Sequence, residues 1–166
     1  VVPVSPTPRW AIVALLSVGM ISAYADRTNL SVALASPDFM KAFDLSNTDR
    51  GLVNSAFFWA YAVLQIPAGW VVDRFGVKWP YAIAIFFWCI AGAATSLAGT
   101  FGVLIALRIA LGVGEAIVAP ASYKWIRMNF EERQRGLAIG LYMTGTKIGP
   151  AIGTPLAAWL IAAYDW

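Results

Sequence analysis

The sequence predicts an all-α polytopic membrane protein. Of its 166 residues, 60% are hydrophobic and only 13% are charged, whereas soluble domains are about 45–50% apolar and about 25% charged. The apolar residues also occur in long blocks, and about 20 consecutive apolar residues are enough for a helix to cross a bilayer. Five such blocks are present, so we expect a lipid bilayer to surround most of the chain.

The five predicted transmembrane helices follow one another with short connections. They are expected at about residues 10–35, 51–72, 80–98, 101–123 and 136–164, and together they form a transmembrane bundle over residues 10–166. Ser46 and Asp49, ahead of the second helix, have the spacing of a capping box. Pro80 suits the first position of the third helix.

Residues 1–9 are predicted to be a disordered cytoplasmic tail, because three of the first eight residues are proline. The chain does not begin with methionine, and we therefore expect its numbering to start inside a longer protein.

The distribution of basic residues predicts the orientation, since cytoplasmic loops of membrane proteins are enriched in Lys and Arg. One side of the predicted bundle holds only Lys41 and Arg50. The opposite side holds seven basic residues: Arg9, Arg74, Lys78, Lys124, Arg127, Arg133 and Arg135. The N-terminus is therefore predicted to be cytoplasmic.

Composition also argues against several classes of function. The basic residues are dispersed between helices and do not form one patch, so we expect no nucleic-acid partner. The single cysteine, Cys89, cannot form an intrachain disulfide. The chain has no histidine, which excludes imidazole metal sites and histidine proton relays. No catalytic constellation or metal site is predicted, and we expect the protein not to be an enzyme.

Five ionisable residues lie inside the predicted spans: Asp26, Arg27, Arg108, Glu115 and Lys147. A charge at the centre of a spanning helix costs about 2.5–3.5 kcal/mol, and such residues usually mark ion or substrate pathways. The three cations outnumber the two acids, so an anionic substrate would supply the missing counter-charge. The acids could bind protons. The alternative is that these charges form buried ion pairs that only hold helices together.

Aromatic and polar residues accompany these charges at helical spacing. Tyr24 can share a face with Arg27, and Arg108 lies two turns before Glu115 on one face of the fourth span. On the second span, a stripe is formed by Asn54, Phe58, Tyr61 and Gln65. Tyr61 and Gln65 are candidates for substrate binding, and the alternative is that they serve as hydrogen-bonding contacts between helices.

The segment GWVVDRFGVK, residues 69–78, resembles the loop signature between helices two and three of the major facilitator superfamily. The match consists of Gly69, Asp73, Arg74, Gly76 and Lys78, while Val77 replaces the usual basic residue. We expect Gly69 to permit close helix packing and Asp73 to meet a helix N-terminus or a nearby arginine.

Three further segments narrow the resemblance: ADRTNLSVA, RIALGVGEA and FEERQRGLAIG. They are similar to the anion:cation symporter family, which includes bacterial galactonate, glucarate and hexuronate transporters, animal vesicular glutamate transporters and sialin. The resemblance implies that Arg27 contacts the substrate carboxylate, helped by Tyr24 and Tyr61. It also implies that Asp26 and Glu115 carry protons, with Arg108 tuning them.

The segment GTKIGPAIG, residues 145–153, has glycines four residues apart, and we interpret it as a packing surface. Lys147 lies within it. It is too deep to reach the interface easily, and it is predicted to face the cavity and favour substrates with a second anionic group; the alternative is that it serves helix packing alone.

The resemblance implies a twelve-helix fold in two six-helix halves, of which this chain supplies five helices of the N-terminal half. The missing C-terminal half is therefore an expected partner, with the bilayer and the substrate. The predicted function is proton-coupled symport of a small organic anion, of the sugar-acid type, in the bacterial inner membrane. Protons are the coupling ion and no other cofactor is expected. The alternatives are an anion exchanger or aromatic-carboxylate carrier on the same fold, and a non-transporting membrane assembly subunit.

Overall fold

The computed structural model describes residues 6–164, and side chains from residue 8 onward. Within that range every regular element is a helix, which confirms the all-α prediction. The helices are α1 (Pro6–Ala33), α2 (Pro37–Ala42), α3 (Asn47–Phe75), α4 (Lys78–Thr95), α5 (Phe101–Glu115), α6 (Val118–Asn129) and α7 (Glu132–Tyr164).

Three stretches of the described residues are long and apolar enough to cross a membrane: Pro8–Ala33, Asn47–Phe75 and Phe101–Asn129. They correspond to the first, second and fourth predicted spans. Helices α4 and α7 occupy the positions of the third and fifth, and the total of five crossings stays a prediction.

The first helix begins earlier than predicted. Pro6–Arg9 are helical, so the prediction of a disordered tail is wrong for these residues, and residues 1–5 lie outside the described part of the chain. The guanidinium of Arg9 donates a hydrogen bond to the carbonyl of Asn129 at 2.9 Å and lies 5.9 Å from the centre of the Phe130 ring. These contacts tie the first turn of α1 to the α6–α7 connection.

The capping box ahead of α3 is confirmed. The backbone N–H of Asp49 donates to the Ser46 hydroxyl at 3.1 Å, and the N–H of Ser46 donates to the Asp49 carboxylate at 3.0 Å. The start predicted for α4 is wrong by two residues, because Lys78 opens the helix and Pro80 is its third residue. Proline is tolerated there since the first four N–H groups of a helix have no intrahelical partner.

The fourth predicted span consists of two helices, with a break at Ala116 and Ile117 between α5 and α6. Pro120 explains the break. Proline has no N–H to donate to the carbonyl four residues earlier, which is that of Ala116. The side chain of Gln65 on α3 donates to this carbonyl at 3.4 Å. The break therefore follows Glu115 directly.

Helices α1 and α7 pack with their backbones close together along Gly145, Gly149 and Gly153. A Cβ atom at Gly149 would lie 2.5 Å from the carbonyl oxygen of Ile21, and one at Gly153 would lie 2.9 Å from the Cα of Ala25. This seam confirms the packing interpretation of residues 145–153.

Candidate functional site

Arg27 and Glu115 form a buried ion pair between α1 and α5. The Nε–H of Arg27 donates to Oε2 of Glu115 at 2.9 Å, and Nη2 lies 2.8 Å from the same oxygen. The side chain of Arg27 is 14% exposed and that of Glu115 is 1% exposed. Both residues were predicted as site residues from the sequence, and the structure adds that they are each other's partners.

Three aromatic rings surround the guanidinium of Arg27. Its central carbon lies 4.5 Å from the ring centre of Tyr24, 4.6 Å from that of Tyr61 and 4.9 Å from that of Phe57. A guanidinium within about 6 Å of a ring centre is attracted by the ring's electron density. Tyr24 and Tyr61 were expected beside Arg27. Phe57 was missed, although it lies one helical turn before Tyr61, where it stacks on that ring.

Asp26, the neighbour of Arg27 in the chain, is directed to a different helix. Its Oδ2 accepts a hydrogen bond from the indole N–H of Trp88 on α4 at 2.8 Å. Trp88 was not among the predicted site residues. The sequence feature that could have identified it is its place in the middle of an apolar helix, because a buried indole N–H there has to find a polar partner.

Arg108 is buried on α5, 7% exposed, and forms no ion pair with a described side chain. Its Nη2 donates to the hydroxyl of Thr95 at 3.3 Å, while its Nε has no hydrogen-bond partner among the described atoms. Arg108 lines a cavity of about 10 Å³, room for about one water, whose other lining residues are Arg27, Leu30, Asn54, Phe57 and Phe58.

A larger, open cavity of about 290 Å³ lies beside it between α1 and α3 and shares Asn54. Its other lining residues are Ser31, Leu34, Asn47, Arg50 and Gly51. Polar side chains and one cation, Arg50, thus line the space between the buried Arg27 and Arg108 and the exposed N-terminal end of α3.

Gln65 and Lys147 were predicted to bind substrate, but neither forms a hydrogen bond or an ion pair with the described side chains of this cluster. Gln65 donates to the Ala116 carbonyl, as expected under the alternative of a contact between helices. Lys147 is exposed on α7, and no described acidic side chain forms an ion pair with it. The proposed roles of both residues in substrate binding stay predictions.

The loop signature at residues 69–78 forms a separate contact with α6. The ammonium of Lys124 lies 2.9 Å from the carboxylate of Asp73 and donates to the carbonyl of Val72 at 2.9 Å. Within the described residues Asp73 is therefore paired with a lysine, and the expected contact with a helix N-terminus or an arginine stays a prediction. Gly76 has φ of +80°, a conformation that favours glycine.

The expected packing role of Gly69 also stays a prediction. A Cβ atom there would meet nothing within 4 Å, because this face of α3 is not covered by another described helix.

The chain is a bundle of apolar helices with charged residues buried among them, and a comparison with known families identifies its superfamily. The family model of the Major Facilitator Superfamily matches residues 16–166, and the chain belongs to this superfamily.

The chain is similar to several sugar-acid transporters. It is 35% identical to the hexuronate transporter of Escherichia coli (strain K12) and to the D-galactonate transporter of Escherichia coli O6:H1, in each case over 95% of this chain and 36% of the relative. It is 31% identical to the galacturonate transporter of Dickeya chrysanthemi, over 95% of this chain and 45% of that one. The chain thus spans less than half the length of these relatives.

A solved structure has the same fold. The bacterial homologue of the human lysosomal transporter Spinster, in an inward-facing and occupied conformation, matches with a TM-score of 0.88 at 24% identity. The match covers 96% of this chain and 34% of that one.

Proposed function

We propose that this chain is the N-terminal part of a secondary transporter that moves a small organic anion of the sugar-acid class together with protons. The observation that carries the proposal is the Arg27–Glu115 pair among the rings of Tyr24, Phe57 and Tyr61. The sugar-acid transporters among the relatives support the choice of substrate class.

The geometry suggests how an anion and a proton share this site. Only one oxygen of Glu115 accepts from Arg27. When Glu115 binds a proton it loses its charge, and the guanidinium becomes available for a carboxylate. A guanidinium can hold a carboxylate by two parallel hydrogen bonds, and the surrounding rings limit competition from water. Proton and anion would thus be bound together.

Asp26 and Arg108 complete the proposed coupling group. Asp26 has its own donor in Trp88 and is the second candidate for proton binding. Arg108 contributes a buried positive charge that described acidic side chains do not neutralise by direct contact. This surplus of positive charge favours occupation of the site by an anion.

We propose that the second half of the transporter closes the site from the opposite side, because secondary transporters bind substrate near the bilayer midplane between their repeats. The proposed orientation has the N-terminus in the cytoplasm of a bacterium and the bundle in its inner membrane. Protons are the proposed coupling ion, no other cofactor is invoked, and no enzymatic step is required.

Transport by the reconstituted full-length protein tests the proposal. Proteoliposomes would be given an inward proton gradient, and uptake of galactonate, glucuronate and glucarate would be compared with that of a neutral sugar. We expect gradient-driven accumulation of at least one sugar acid, abolished by a protonophore. Uptake that requires an anion inside the vesicles and does not depend on the proton gradient would instead identify an exchanger. The absence of any anion uptake would contradict the transporter proposal.

A further inference from the structure

The two membrane carboxylates have different hydrogen-bond donors, although they lie in one cluster. Glu115 accepts from the charged guanidinium of Arg27, and Asp26 accepts from the neutral indole of Trp88 at 2.8 Å. Within the described part of the chain, the bond between Asp26 and Trp88 is the one side-chain hydrogen bond that joins α1 to α4.

The indole of Trp88 is held rigidly. The residue is 5% exposed and packs in a cluster with Ala23, Phe57, Ala91 and Leu111. Gly114 on α5 makes room for it, since a Cβ atom at Gly114 would lie 3.1 Å from the Cβ of Trp88. The donor is therefore held by packing against residues of α1, α3, α4 and α5.

Five residues connect helices α1, α4 and α5 at this point. Asp26 and Arg27 are neighbours on α1, Gly114 and Glu115 are neighbours on α5, and Trp88 contacts both Asp26 and Gly114. The indole bond depends on the contact between α1 and α4, whereas the Arg27–Glu115 pair depends on the contact between α1 and α5. The two carboxylates can thus respond to different helix movements.

We propose that Trp88 is a positioning residue for proton coupling, whose indole N–H orients the Asp26 carboxylate and makes its protonation depend on the contact between α1 and α4. This inference rests on the proposed function, because it assumes that Asp26 carries a transported proton. A hydrogen bond donated to a carboxylate stabilises the charged form, so Asp26 binds a proton more readily when the indole moves away.

The other charges around Asp26 come from few elements. Arg108 and Glu115 on α5 act on it electrostatically, and Arg27 follows it in the chain. Residues 51–72 of α3 and 79–95 of α4 contain no acidic or basic residue. On α7, the charged residue of the membrane region is the exposed Lys147. Removal of the indole donor therefore leaves this charge environment unchanged.

Infrared titration of the purified full-length protein tests the proposal directly. The carbonyl band of protonated carboxyl groups would be followed against pH, and the Asp26 component assigned by its loss in Asp26→Asn. In Trp88→Phe, which keeps an aromatic ring and removes the N–H, we expect the midpoint of this component to move upward by about one pH unit. The double variant Trp88→Phe/Asp26→Asn should lack the moving component.

Two controls separate the hydrogen bond from packing. Trp59→Phe changes an indole on α3 that is 71% exposed and should leave the midpoint unchanged. Replacement of Trp88 by benzothienylalanine keeps the bicyclic shape without the N–H and should reproduce the shift, even where Trp88→Phe fails to fold. An unmoved Asp26 midpoint in this replacement, or no Asp26-dependent band at any pH, would overturn the role of Trp88. Failure of the transport proposal is recognised separately, as absent anion uptake by the wild-type vesicles.

Discussion

Helix α1 contacts two neighbours by opposite means. Toward α7 it meets the backbone of Gly149 so closely that a methyl group there would lie 2.5 Å from the carbonyl oxygen of Ile21. Toward α5 it meets a carboxylate through a guanidinium, the Arg27–Glu115 pair. The contact with α7 is made mainly by shape, beside one hydrogen bond from the Ser17 hydroxyl to the Leu141 carbonyl at 3.4 Å, and the contact with α5 is made by charge.

The difference indicates which contact can change during a transport cycle. Close-packed backbones have few alternative arrangements, since interiors pack at the density of organic crystals. An ion pair, by contrast, can be opened by a proton on the acid or by a competing anion on the base. We therefore expect α1 and α7 to move as one unit and the contact between α1 and α5 to be the chemically controlled one.

The largest expected effect is that of Arg27→Lys on substrate affinity. An ammonium keeps the charge but acts as a point charge, and it loses the planar pair of donors. One hydrogen bond to a charged group contributes about 1.5–3 kcal/mol, so we expect an affinity loss of about tenfold to hundredfold. Equilibrium binding to the full-length protein measures it. Arg133→Lys, at an exposed position on α7, is the matched control, and equal affinities in the two variants would reject the role of Arg27.

The glycine contact is tested by Gly149→Ala. The added methyl group would meet the backbone of α1, and overpacking of this kind costs about 1–3 kcal/mol. Gly140→Ala in the same helix adds a methyl group with nothing within 4 Å and should be neutral or stabilising by up to about 1 kcal/mol. Thermal unfolding of the two variants gives the comparison. If Gly149→Ala is as stable as Gly140→Ala, the seam is not rigid.

Glu115→Gln tests the charged contact by mimicking the protonated acid. Substrate binding and counterflow exchange should persist, while accumulation driven by a pH gradient should be lost. Each coupled proton can support about tenfold accumulation per pH unit, because one unit corresponds to about 1.36 kcal/mol. The accumulation ratio in proteoliposomes is the measurement, and Asp26→Asn should behave similarly if both acids carry protons. Wild-type accumulation by Glu115→Gln would remove this residue from the coupling mechanism.

The smallest expected effect is that of Lys147→Ala. This lysine lies between two seam glycines but is itself exposed, and exposed ion pairs contribute at most about 1 kcal/mol. We expect uptake of a dianion such as glucarate to fall about threefold more than uptake of a monoanion such as galactonate. Lys41→Ala on α2 is the control. An equal loss for both anions would assign Lys147 to packing.

The sequence predicted the helices and the ionisable residues of the site because both depend on local composition. Apolar blocks mark the helices, and a charge within such a block stands out as Arg27 does. The glycine seam was also predictable, since Gly145, Gly149 and Gly153 repeat at helical spacing. These features can be recognised without knowing which helices become neighbours.

The pairing of side chains could not be predicted in the same way. Arg27 is 88 residues from Glu115, and spacing along one helix placed Glu115 with Arg108 instead. Trp88 and Lys124 were missed for the same reason, because their partners come from other helices. At Gly69 a close approach was expected from residue type, and the described helices leave open space there.

The break between α5 and α6 changes how a movement at one end of the fourth predicted span affects the other end. An unbroken helix would act as a stiff rod, so that a turn of Lys124 at one end would rotate Glu115 at the other. Pro120 removes the backbone bond that such a rod needs, and the side chain of Gln65 holds the freed Ala116 carbonyl from α3. The span is therefore weakened at one point, next to Glu115, although Ala116 and Ile117 keep right-handed helical dihedral angles. We therefore expect a movement at the Lys124–Asp73 contact to reach the Arg27–Glu115 pair only in part.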